Sequence, residues 1–157
     1  MNHQRLLRLA AFLDELDPAS FTMEIWVKHT GTIKSALVSC LPPGSRACPI
    51  GWMPMVEPES WCWVGVRDED RDDKYTAVYP VCKEATMWSD PATLQARCTK
   101  LDPVVSWTWH QVREWFELDS LRDTAQLFEP GSYRETPQPG QVAARIRTTL
   151  ASVQERA

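Results

Sequence analysis

The chain has no run of about 18 consecutive apolar residues, the length a membrane-spanning helix needs. Its opening, MNHQRLLRLAAFLDELD, is broken by Arg5, Arg8, Asp14 and Glu15 and offers no clean apolar stretch or small-residue cleavage site. A secretory signal is therefore not expected there. No Walker loop, no Gly-x-Gly-x-x-Gly and no Gly-x-Ser-x-Gly elbow is present. With His3, His29 and His110 the only histidines, a Cys or Ser has few bases to serve it. The chain is therefore not expected to be an enzyme. Basic excess is also missing: the formal net charge is −4. A general nucleic-acid binder needs a basic face, so that class is disfavoured, and a basic partner protein fits better.

The five cysteines (40, 48, 62, 82 and 98) are odd in number and widely spaced, with no Cys-x-x-Cys and no His-x-x-x-His. Structural zinc uses close ligand pairs, so no metal or other cofactor is expected; Cys62, Cys82 and His110 form the one distant constellation worth naming. Reduced thiols in a cytosol are the natural reading. Asp68, Asp70 and Asp72 alternate like the start of a calcium loop. The position that should be Gly is Asp73, however, and the one that should be Glu is Tyr79, so the match fails.

What is present is an ordinary globular composition, 43% hydrophobic and 24% charged over 157 residues. That supports a single domain over 1–157, able to build a core without metals or disulfides. The stretch from Val104 to Leu118 organises it. Val105, Trp109, Val112 and Phe116 recur at spacings of four, three and four, the stripe of an amphipathic helix. Trp107, His110 and Glu114 lie on the opposite face, where a tryptophan suggests a surface that touches something.

Other helices are expected over about 2–16, with Leu6, Leu9, Leu13 and Leu16 inward, and from Pro139 onward, with Val142, Ile146, Leu150 and Val153 inward. Ser120 or Asp119 caps a shorter helix on which Leu121, Ala125 and Phe128 share a face. Thr32–Leu41 is a short helix or a strand; its length does not decide. Arg46–Val56 reads as one or two helical turns. Trp61–Val66 and Lys74–Cys82 alternate with period two around a polar loop, which predicts an antiparallel hairpin inserted at about 60–82. Pro80 puts its second strand at an edge. The expected fold is mainly α (α+β), a compact bundle of five to seven helices with that small hairpin inserted.

Two blocks carry a family resemblance. One is Phe21-Thr-Met23-Glu-Ile-Trp26 followed by Ala47-Cys48-Pro-Ile50-Gly51-Trp52. The other is Trp115-Phe116-Glu-Leu118, then Leu127-Phe128, Tyr133, Thr136-Pro137 and Val142-Ala143-Ala144-Arg145-Ile146. Together they resemble a group of small, poorly characterised proteins of bacteriophages and prophages, over most of the chain except about 57–90. The family's early Cys-Gly-Thr is missing here, and Pro42-Pro43-Gly44 stands in its place. The resemblance implies a compact, mostly helical domain of no established chemistry, acting inside a bacterial cell.

The function expected on these grounds is a non-enzymatic phage or prophage accessory protein that binds a host protein or complex. An inhibitor of a nucleic-acid-handling defence complex, of the anti-CRISPR kind, is the plausible role, with no direct nucleic acid and no membrane as partner. Its contact residues would be Trp107, His110 and Glu114 on the helix, Trp61 and Trp63 on the hairpin, and Asp68, Asp70, Asp72 and Asp73 at the hairpin tip. Exposed aromatics mark binding hot spots, although burial of the hairpin tryptophans against the helices would explain them equally well. The alternatives are a zinc-stabilised nucleic-acid adaptor using Arg97, Arg145 and Arg147, and a structural or assembly protein of a phage.

Overall fold

A computed structural model of the chain describes residues 1–24, 26–29, 31–33, 35, 37–67, 75–83 and 101–155, with the backbone alone at 67, 75–76 and 101–107. The first helix, α1 (His3–Glu15), starts where Asn2 accepts a hydrogen bond from the Arg5 amide, and it buries Leu6, Leu9, Ala10 and Leu13. Its stripe is the one the spacing predicts. Asp17 then caps a single 3₁₀ turn at Pro18–Ser20.

From there the chain departs from a helical bundle. Short strands β1 (Val27–Lys28) and β3 (Arg46–Ala47) pair antiparallel, Val27 opposite Ala47 and Lys28 opposite Arg46. A second sheet has the order β2-β4-β5, made of Leu37–Val38, Trp61–Arg67 and Tyr75–Cys82. The hairpin falls where the alternation puts it. It makes up two strands of a three-stranded sheet, β4 in the centre and β5 at the edge. Among the described residues there are five helices and five strands in two sheets, so the fold is α+β and the mainly α bundle is overturned. Two-residue strands gave no periodicity to read. Arg46–Ala47, expected to be helical, is strand, and a helix of one turn, α2 (Met53–Val56), follows it.

The organising helix is α3 (Leu101–Trp115). Val112 and Phe116 are fully buried and Trp109 is half-buried. Its end is held from the other terminus: Arg5 donates to the Trp115 carbonyl at 2.7 Å, and the Asn2 amide donates to the Phe116 carbonyl at 2.7 Å. The Arg5 guanidinium also lies 3.6 Å from the centre of the Trp115 ring, a cation–π contact. Glu117 closes the helix with a positive φ of 52°, the left-handed turn that usually ends helices at glycine. Against the sheet, Trp115 meets Trp61 edge to face at 6.0 Å. Gln111, buried on α3, accepts a hydrogen bond from the Cys82 amide on β5 at 3.2 Å.

Ser120 opens α4 (Leu121–Phe128) with a reciprocal capping box to Asp123. The buried face of α4 is Thr124, Leu127 and Phe128, one step round from the expected stripe, and Leu121 is exposed. The last helix, α5 (Pro139–Gln154), buries Val142, Ala143, Ile146 and Leu150 against α1. The main core joins α1, α3, α4 and α5 to Ile50, Met53 and Trp61.

One position ties the two sheets together. A Cβ on Gly51 would overlap the Trp26 carbonyl oxygen and lie 2.8 Å from the Ala47 Cβ. The same Trp26 carbonyl accepts from the Cys48 amide at 3.2 Å, and the Gly51 carbonyl accepts from the Trp63 indole at 2.8 Å. Gly51→Ala must therefore push the Trp26 backbone away. A loss of about 3 kcal/mol in chemical denaturation is expected, at the upper end for overpacking. In a domain of this size that is a fall of roughly 6–12 °C in Tm.

Candidate functional site

The sites expected from sequence separate once the fold is known. His110 and Glu114 are exposed, one turn apart on α3; Glu114 lies 3.9 Å from Arg113, its one ion pair among the described residues. Trp61 and Trp63 cannot be contact residues, since they are 1% and 3% exposed. Trp63 packs with Val27, Ile33, Ala47 and Val78, and Trp61 belongs to the main core. The reason is that both faces of β4 are covered. Val64 and Val66 on the opposite face are also fully buried, where a hairpin lying on a surface would leave one face free. The Trp107 side chain and Asp68, Asp70, Asp72 and Asp73 lie outside the described residues, as does Arg97.

The arginines of the adaptor reading are engaged internally. Arg147 forms an ion pair with Asp14, and Arg145 lies 3.7 Å over the Tyr133 ring while donating to the Gln126 carbonyl at 2.9 Å. No group of three His, Cys, Asp or Glu side chains converges as a metal site among the described residues. Cys62 and Cys82 are near neighbours across the β4–β5 ladder, but His110 does not join them.

What the structure brings together instead is an aromatic cleft of about 320 Å³. Its lining includes Met23, Glu24 and Trp26, Tyr79 of β5, Trp109 of α3 and Phe128 of α4. Trp26 and Trp109 touch, with ring centres 4.8 Å apart and planes at 56°. Both are half-buried, so this ring pair sits at the edge of the core and not inside it. Such a pair contributes about 0.5–1.5 kcal/mol beyond the area it buries. The volume lies at the low end of small-ligand and side-chain pockets, roughly 300–1,000 Å³.

Local sequence explains how each wall is placed. Trp26 is fixed by the Ala47–Trp52 block, through the Cys48 amide and the close approach of Gly51. Trp109 is fixed by α3, whose end the N-terminal residues clamp. Phe128 is placed by α4 and stacks 5.6 Å from Phe116. The short apolar motifs therefore build a cleft. The sequence shows the motifs, and the period of α3 puts Trp109 on the core side, but neither gives the depth at which Trp26 and Trp109 lie. That they meet at a rim depends on a contact between residues 83 positions apart in the chain.

The chemistry of the lining is non-reactive. Cys48 is the one thiol in the cleft wall among the described residues, and burial pushes its pKa up to about 11, with backbone hydrogen bonds from Gly51 and Ile50 offsetting this only partly. A nucleophilic cysteine needs the opposite shift. Burial also raises the Tyr79 hydroxyl above its ordinary value. The charged lining residue is Glu24, which is exposed.

Comparison with protein families, with curated proteins and with solved structures finds no match to this chain. No helix among the described residues is long and apolar enough to cross a membrane.

The raised Cys48 pKa fixes a sign for stability against pH. The folded state holds the thiol proton more tightly than the unfolded chain, so this contribution is complete below pH 9 and is lost as pH rises toward 11. It amounts to roughly 2–3 kcal/mol at about 1.4 kcal/mol per unit. Tyr79, Tyr133 and Cys62 are raised in the same sense, so the comparison must isolate Cys48. Urea denaturation between pH 8.5 and 11 should show a shallower decline for Cys48→Ala than for the wild type; parallel declines would contradict the assignment.

Proposed function

We propose that the protein is a non-enzymatic binding protein whose contact site is the Trp26–Trp109 cleft, which receives an apolar side chain of a partner protein. The observation that supports this reading most strongly is a pair of half-buried tryptophans in contact within the lining of an apolar cleft, held there by separate parts of the fold. Tryptophan is enriched at binding hot spots, and a partly desolvated pocket that accepts one anchor is where such energy concentrates. The lining offers no nucleophile of lowered pKa and no metal-ligand group among the described residues.

The setting is that of a phage or prophage product in the bacterial cytoplasm, acting on a host protein. That part of the reading rests on the motif resemblance. The inhibitor role belongs to the same part, and the contact expected at Trp107, His110 and Glu114, on the other face of α3, would be separate from the cleft. A nucleic-acid adaptor is less well supported, because Arg145 and Arg147 are already engaged within the molecule.

Tagged protein captured from nuclease-treated bacterial lysate tests the site through variants. Trp109→Ala removes one anchor, and Ala77→Arg, at a half-exposed position in the lining, obstructs the cleft while leaving both tryptophans. With circular dichroism unchanged, each should lower recovery of a stoichiometric partner at least tenfold, about 1.4 kcal/mol or more. Recovery that depends on His110 and Glu114 but not on Trp109 or Ala77 would place the site elsewhere on α3.

A further inference from the structure

Beside the aromatic cleft, and sharing Glu24 with it, lies a second depression of about 380 Å³ with a mainly polar lining. Thr22, Lys28, Arg46 and Thr136 are the groups that give it its chemistry. Lys28 and Arg46 reach it from β1 and β3, where they stand directly opposite one another. Like charges in opposed antiparallel positions destabilise the strand pair. Neither side chain forms an ion pair or hydrogen bond with a described residue; Glu24 lines the same depression without pairing to either. Arg46 is half-buried, which makes an unanswered charge there more costly than at a free surface.

Two strands of two residues each thus carry an electrostatic conflict, and local conflicts of this kind fall chiefly at functional or strained positions. An anion in the depression would supply that gain. The arginine fork matches two oxygens of a phosphate, and the lysine adds a point charge. The Thr22 hydroxyl oxygen accepts from the Glu24 amide at 3.3 Å and donates to no other group among the described residues. The start of α5 borders the same space, but its first turn is closed on itself by the Gln138 amide donating to Gln141 Oε1 at 2.7 Å. The two cations, and not the helix end, therefore make the site.

We propose that this depression binds a phosphate group through Lys28 and Arg46, either as the free ion or as a small phosphomonoester. It is separate from the partner-binding reading and does not depend on it.

Thermal unfolding and isothermal titration at fixed ionic strength test it, with inorganic phosphate and glycerol phosphate compared against chloride. A dissociation constant near 1 mM would raise Tm by about 4 °C at 20 mM ligand. Lys28→Gln carries a double expectation: Tm without phosphate rises by about 1–3 °C as the cross-strand repulsion is removed, and phosphate affinity falls at least fivefold. Glu24→Gln should tighten binding. Equal affinity for the two probes identifies the free ion, and tighter binding of glycerol phosphate identifies the monoester. No response beyond chloride, or the same response in Lys28→Gln, overturns the proposal.

Discussion

The close approach of Gly51 to the Trp26 carbonyl is the constraint on which most of this structure depends. A backbone oxygen sits where any side chain would have to be. That single contact fixes the segment carrying Met23, Glu24 and Trp26, and through Val27 it sets the register of β1 against β3. The Trp63 indole bonded to the Gly51 carbonyl then locks the second sheet to the same point. Both clefts inherit their shape from this junction, since each has part of the 21–28 segment as a wall.

A second constraint acts from the far side. The end of α3 is held by Arg5 and Asn2, residues more than 100 positions earlier in the chain. Arg5 uses both its hydrogen-bonding edge and its flat face, the first on a carbonyl that the helix leaves open and the second on the Trp115 ring. The consequence for the cleft is geometric. Trp109 lies nearly two turns before this clamp, so its position relative to Trp26 is set by a rigid element anchored at its end and not by a loop.

The helices were the legible part of the sequence. The stripes of α1 and α5, the buried face around Val112 and Phe116, the cap at Ser120, and the hairpin with Pro80 on its outer strand all follow from spacing and local chemistry. The short strands were not legible, because Val27–Lys28, Leu37–Val38 and Arg46–Ala47 offer two residues each and no period can be read from two. They turn an expected bundle into an α+β fold with two sheets. The tryptophans show the same limit from another side. Alternation placed Trp61 and Trp63 on one face of a strand but could not show that the face is covered, and the helical period gave Trp109 its direction but not its depth. Burial is decided by what packs across, and those partners are remote in sequence.

The outer edge of β5 carries a further meaning. Pro80 has no amide proton to offer a neighbouring strand, and the Cys82 amide two residues on is already taken by the buried Gln111 side chain. A sheet margin that lacks these two donors is a poorer template for another chain's strand. The hairpin, rich in tryptophan and valine, thus has its outer edge blunted against intermolecular β-association by one imino acid and one side-chain amide on a helix.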